Sequence, residues 1–277
     1  MNVLFTGRGT SGSWAIRGQQ LGQALGSTVL PNALDVAPYD LAVLVKRPTA
    51  DLLERLRQAK VRIVWDVVDS YPQPVGNEWK KGRCLDWLEE MVKMIRPAAI
   101  VAATKVMASD CERFGIPVLA LPHHARPGLR QNPLRPLRVL GYEGGEQYLG
   151  RWIPIIRRQC AARGLEFVIN PSEVAEVDVL LALRDCEGYA PRNWKSNVKL
   201  ANAQGSGTPV ICNREAGYLE TASGGEHWAD DESELAMALD ALTPTDARRS
   251  AAQVLRAASP EIDSIAATYI AWLRSRF

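Results

Sequence analysis

At 277 residues, with 47% hydrophobic and 23% charged side chains, the chain is long enough for two ordinary domains or one large one. No run approaches the roughly eighteen consecutive apolar residues of a membrane span, and MNVLFTGRGTSG lacks the basic start and apolar core of a secretory signal, so a cytoplasmic location is expected. The net charge of +2 is uneven: residues 1–135 carry 18 Lys and Arg against 12 Asp and Glu, and residues 136–277 carry 15 against 19. A basic first half suits an anionic partner, although ordinary surface variation gives the same pattern.

In chain order, NVLFTG precedes the amphipathic WAIRGQQLGQALG, DLAVLVK precedes ADLLERLRQAK, RIVWDVVD precedes CLDWLEEMVKMIR, AAIVAAT precedes MASDCERFG, and VLALPHH follows. Strands alternating with helices predict a parallel sheet covered on both faces. ARPGLRQNPLRPLR, with three prolines, four arginines and no periodicity, reads as a linker. The pattern then restarts with RVLGYEGG, YLGRWIPIIRRQCAARG, LEFVI, VDVLLAL, NVKLANAQGSG and TPVICN, and closes on a helical pair, ESELAMALDAL and SIAATYIAWLRSRF. Two α/β domains are expected, residues 1–130 and 137–277. The five cysteines (Cys84, Cys111, Cys160, Cys186, Cys212) are scattered and form no CxxC pair, which predicts reduced thiols rather than zinc ligands or disulfides.

The stretch from Arg184 to Glu220 is the most informative. It reads as a polar loop, a short helix ending at Gly205 or Gly207, a buried strand and a second polar loop, with Ser196 or Asn197 as the helix cap. Arg192, Lys195 and Lys199 cluster at the helix entrance. Cations there oppose the macrodipole, by a few tenths to about 1 kcal/mol each, and an anion would relieve the conflict. The same residues also suit a plain capped surface helix.

NVKLANAQGSGTPVICNREAGYLE resembles the donor-binding signature of GT-B-fold nucleotide-sugar glycosyltransferases of the group 1 type. The matching pieces are Glu187-Gly188, Lys199-Leu200, Gly207-Thr208-Pro209-Val210-Ile211 and Gly217 through Glu220. AAIVAAT, ERFGIPV and LPHHARP resemble the last strands of that family's first domain, and GYEGGEQYL resembles the first strand and loop of its second. The resemblance implies two facing Rossmann-like domains, an inter-domain cleft and a last helix returning to the first domain. It also implies transfer of a sugar from a UDP- or GDP-linked donor to an acceptor hydroxyl. Under that reading Glu187 addresses the sugar hydroxyls, Gly144 and Gly145 line the donor site, and Asn202 or Glu220 meets the ribose. The chain departs from the family by carrying Asn202 in place of a glutamate, acids instead of a base in GYEGGEQYL, and a longer loop holding YAPRNWKS. Arg192, Lys195 and Lys199 are therefore expected to have taken over the diphosphate.

GRGTSGSW at 7–14 is a strand-to-helix turn without a Walker lysine, and its glycines fit the dinucleotide fingerprint poorly. Under the resemblance it lines the cleft on the acceptor side, with Arg8, Ser11, Ser13 and Arg17 in reach. In WDVVDS, Asp69 is the candidate base for the acceptor hydroxyl, against a capping or arginine-pairing role. His123 and His124 end a strand at the cleft edge, and His124 is the second catalytic candidate. Asp230-Asp231 has no accompanying ligand cluster, so neither metal nor cofactor is expected and the nucleotide sugar is a co-substrate. NEWKKGRCLDW offers Lys80 and Lys81 beside tryptophans, a pattern that suits a sugar face or DNA and also an amphipathic helix core. The acceptor stays open between a glycan or small molecule and a hydroxymethylated pyrimidine in DNA. A non-catalytic sugar-nucleotide or nucleic-acid binder on a degenerate fold, and a sugar-nucleotide epimerase, are the alternative functions.

Overall fold

The computed structural model describes residues 1–69, 79–185 and 187–277. The last residue of WDVVDS, the Asn-Glu start of the Trp-Lys-Lys stretch and Cys186 lie outside them. The first sheet contains β1 (Val3–Gly7), β2 (Thr28–Val29), β3 (Leu41–Val45), β4 (Arg62–Val68), β5 (Ala99–Ala102) and β6 (Val118–Ala120), in the order β2-β1-β3-β4-β5-β6. The second contains β7 (Val139–Tyr142), β8 (Glu166–Ile169), β9 (Val179–Ala182), β10 (Val210–Cys212) and β11 (His227–Trp228), in the order β11-β10-β9-β7-β8. Every pairing is parallel. The edge strands β2 and β11 are two residues long, too short to leave a periodic trace in the sequence.

Around the first sheet lie a π-helical turn (Trp14–Gln20) running into α1 (Leu21–Ala24), then α2 (Ala50–Gln58), α3 (Lys81–Ile95) and α4 (Lys105–Glu112). The later helices are α5 (Trp152–Arg163), α6 (Tyr189–Trp194), α7 (Val198–Ser206), α8 (Ala216–Leu219), α9 (Glu232–Leu242), α10 (Thr245–Ala257) and α11 (Ile262–Arg276). The closing helical pair is thus a trio, with α10 inserted between its members, and both polar loops around α7 contain short helices. Strand residues alternate between faces, as the period of two requires. Leu4, Ala42 and Leu44 pack with the α2–α4 side, whereas Phe5, Leu41 and Val43 pack with Trp14 and α11. Thr49, Thr104 and Asp231 cap α2, α4 and α9 through their side-chain oxygens.

The long YAPRNWKS loop has a structural reason. It forms α6, which packs into the core of the first domain. Trp194 is fully buried there, 6.4 Å from the Trp87 ring and 5.9 Å from the Tyr189 ring. Asp110 on α4 accepts hydrogen bonds from Trp194 Nε1 and Tyr189 Oη, both at 2.8 Å. Thr104 Oγ1 donates to the Asn193 carbonyl at 2.7 Å. The Glu220 carboxylate accepts from the Lys105 and Val106 amides at 2.7 and 3.3 Å, setting negative charge at the positive end of α4. The last helix, α11, lies on the first sheet, with Tyr269 edge-on to Phe5 at 6.2 Å.

Candidate functional site

The carboxyl ends of both sheets open onto one cavity of about 540 Å³, where ligands bind in parallel α/β sheets. Residues just past β1, β3, β4 and β6 supply Ser11 and Ser13, Lys46, Asp69 and His123 from one side. Residues past β7 and β9 and around the start of α7 supply Gly144, Gly145, Arg184, Lys195, Lys199 and Asn202 from the other.

Asp69 sits at the meeting point. Its carboxylate pairs with Lys46 Nζ at 2.8 Å and with Lys195 Nζ at 2.5 Å, so one lysine from each side holds it. Burial acts to raise this carboxyl, but Lys195 and Lys46 outweigh it and hold the group well below the usual carboxylate range. The backbone beneath is strained. Val68, a β-branched residue, has φ of +55°, and Lys46 has φ of +65°. Such geometry costs on the order of 1–3 kcal/mol and recurs at functional sites. Trp65 Nε1 pins the Lys46 turn by donating to its carbonyl at 2.7 Å.

Lys199 lies one turn into α7, buried, with its Nζ 5.0 Å from the centroid of the Tyr142 ring. It makes no ion pair among the described residues. Burial, followed by the Arg184 charge, lowers its ammonium to about 7. The start of α7 differs from the expected cap. Asn197 turns its side chain away to accept from the His123 amide at 2.8 Å and donate to the His123 carbonyl at 3.3 Å, tying α7 to the end of β6. Gly207, at φ of +64°, ends the helix as predicted. Gly217 permits a close approach, because a Cβ there would fall 2.3 Å from the Lys195 carbonyl oxygen.

The sequence matches no protein-family model and no curated protein. Several solved structures match over nearly their full lengths. Anabaena HepE in complex with UDP-glucose aligns with TM-score 0.69 at 12% identity, covering 99% of this chain and 100% of that one. Sucrose-phosphate synthase from Thermosynechococcus elongatus gives 0.66 at 12%, covering 99% of each chain. A glycosyltransferase from Rickettsia africae gives 0.65 at 8%, covering 99% and 98%. The chain has the GT-B fold.

Within this GT-B cleft the expected site residues separate clearly. Gly144, Gly145, Lys195, Lys199, Asn202, Ser11, Ser13 and Asp69 line it, and Arg8 lies on its first-domain flank. Arg192 is exposed on α6 and lines no part of it. Its place is taken by Arg184, which sequence reasoning passed over although it follows the apolar run VDVLLAL. Arg184 is buried, with Nε 3.0 Å from Glu215. Arg17 is a framework residue, fully buried, 3.2 Å from Asp66 and donating to the Leu121 and Pro122 carbonyls. Of the two histidines, His123 reaches the cavity and His124 instead meets Gln20 Oε1 at 3.0 Å. Burial, with Arg17, holds His123 well below the ordinary imidazole range and His124 at about 4, so both rings are neutral near pH 7.

Glu187 is exposed and pairs loosely with Arg151, at 3.9 Å. Glu220 caps α4 and is engaged there. Asn202 faces the cavity with both ends of its amide in use, accepting from the Arg126 amide and donating to Glu143. Lys80 is exposed at the start of α3, and Lys81 pairs with Asp110 at 3.2 Å. Among the described residues no three His, Cys, Asp or Glu side chains gather as metal ligands would, and no helix is long and apolar enough to cross a membrane.

Proposed function

We propose that the chain is a glycosyltransferase that moves a sugar from a UDP-linked donor to an acceptor hydroxyl. The observation that carries this is Lys199, buried on the cavity wall beside Arg184 and Lys195 and without an ion-pair partner among the described residues. An anion of higher charge than a carboxylate suits that wall, and a diphosphate brings one. HepE, which shares the fold, is named in complex with UDP, and with UDP and glucose.

As the anomeric bond breaks, charge collects on the departing diphosphate, and preorganised cations facing it stabilise the transition state. Lys195 has two claimants, Asp69 and the diphosphate. Donor binding draws Lys195 away and loosens the hold on Asp69, whose carboxylate then receives the acceptor proton. Neutral His123 offers a hydrogen bond to the sugar without added charge. A glycan or small-molecule acceptor is favoured over a modified base in DNA, because Lys81 of the basic patch is already paired with Asp110.

The test is a calorimetric titration with UDP and GDP, followed by a panel of UDP-sugars assayed for UDP release. UDP binding tighter than GDP, with turnover of at least one UDP-sugar, is expected. Absence of UDP binding, or UDP affinity unchanged in Lys199→Ala, overturns the reading.

A further inference from the structure

Among the described residues one segment is π-helical, Trp14–Gln20, and it lies between the cleft and the first sheet. Ala15, Ile16 and Gln20 line the cavity, whereas Trp14, Arg17 and Gly18 are buried on the other face. The wide π turn is rare and recurs at functional sites. Its inner face is closely fitted: a Cβ on Gly18 would fall 2.4 Å from the Trp14 ring.

Arg17 brings a charge to that inner face, and its one guanidinium reaches two strand ends. Nε stands 3.2 Å from Asp66 on β4, Nη2 donates to the Leu121 carbonyl at 2.6 Å, and Nη1 donates to the Pro122 carbonyl at 3.3 Å. Asp66 lies on the strand that delivers Asp69, and Leu121 and Pro122 lead directly into His123. The same helix grips the second turn again, Gln20 Oε1 meeting the His124 ring at 3.0 Å. His123 itself ends in the cavity with Nδ1 buried and without a hydrogen bond among the described residues. Nothing bonded to Nδ1 orients that ring, so the backbone beneath it does. Desolvation makes a buried ion pair no better for stability, as a rule, than apolar groups of the same size, so stability alone does not account for Arg17 and Asp66. A planar fork with several fixed donors does account for them, since it sets its acceptors in one relation to each other.

We propose that Arg17 is a positioning residue that locks the ends of β4 and β6 together and so sets Asp69 and His123 in the relation that sugar transfer requires. This rests on the glycosyltransferase reading. Arg17 touches neither donor nor acceptor, because it has no exposed surface and is absent from the cavity wall. Its loss leaves Lys199 and Arg184 in place on the other side of the cleft, so donor binding and turnover should part company.

The experiment compares the parent with Arg17→Lys, which keeps the charge but not the fork, and with Arg17→Met/Asp66→Asn, which leaves no buried charge unpaired. UDP affinity, by calorimetry, and the donor KM should stay within about threefold of the parent in each folded variant. The kcat for transfer from a UDP-sugar should fall about tenfold or more, the scale set by small misplacements of reacting groups. In spectra of the nitrogen-labelled histidine rings, the His123 signals should move in Arg17→Lys while those of His227 on β11 stay. A kcat within about twofold of the parent, UDP affinity lost in step with kcat, or unmoved His123 signals overturns this proposal alone. Failure of both variants to fold makes Arg17 a stability residue and overturns it too. A parent that turns over no UDP-sugar overturns the glycosyltransferase reading and this one with it.

Discussion

Replacing Lys199 by methionine should weaken UDP binding and strengthen the empty fold. The side chain is 7% exposed, and its ammonium is lowered from 10.5 to about 7, first by burial and then by Arg184. That difference corresponds to about 5 kcal/mol by which the empty site disfavours the charged form. An unfolded lysine keeps its proton to near 10.5, whereas the folded one releases it near 7. The unfolded state therefore binds more protons between those values. The penalty is whole below pH 7 and fades as the pH climbs to 10.5. Methionine keeps the length and the contact with Tyr142 but carries no charge. Lys199→Met should gain about 1 kcal/mol or more in denaturant unfolding at pH 6.5, and the gain should shrink by pH 10. UDP binding should fall about 10- to 150-fold, the loss of a charged hydrogen bond of about 1.5–3 kcal/mol. Calorimetry at pH 7.5 in buffers of different ionisation enthalpy should show proton uptake on UDP binding in the parent and none in the variant. A variant that binds UDP within twofold of the parent, or unfolds more easily at pH 6.5, refutes the reasoning.

Trp194→Ala should cost about 3–5 kcal/mol in urea unfolding, since it empties a fully buried site and removes a donor to Asp110; a loss below 1 kcal/mol contradicts the packing described. Asp69→Asn should separate binding from turnover: UDP affinity is retained or improved, because Lys195 loses its competitor, while sugar transfer drops about 100-fold or more. Transfer at the parental rate removes Asp69 from the chemistry. Gly217→Ala should push the Lys195 backbone aside, cost about 1–3 kcal/mol and weaken UDP binding, read by thermal unfolding and calorimetry on one preparation. Unchanged affinity would show that Lys195 is dispensable for the donor.

The strands of both sheets other than the two-residue edges β2 and β11 were legible because buried parallel strands are continuous apolar runs, as in DLAVLVK and VDVLLAL. Gly207 was legible as a helix stop for a local reason, its left-handed backbone. The site was legible only in part. Lys195 and Lys199 stood out as cations at a helix entrance, but neighbouring Arg192 looked equivalent and points elsewhere. What separates them is α6, whose formation depends on a slot lined by Trp87 and Asp110, about a hundred residues earlier in the chain. The same holds for Asn197, which resembled an ordinary cap and instead binds the backbone at His123. Glu220 and Arg17 were misjudged because exposed and buried charges look alike in sequence, and their partners Lys105 and Asp66 are distant in the chain. Arg184 was missed because it closes an apolar strand and carries no local motif.

The placement of Trp194 and α11 bears on how the gene for such a protein can be cut. A fragment ending at the arginine-rich linker would contain the whole first sheet yet lack the indole that fills the slot beside Trp87 and the helix that covers Phe5. The complementary fragment would carry those same apolar groups with nothing to bury them. Neither piece is a self-sufficient folding unit, but each holds what the other is missing. Separately expressed halves would thus be poor soluble domains and good candidates for reassembly on mixing, with return of the donor site as the signal that the two had met.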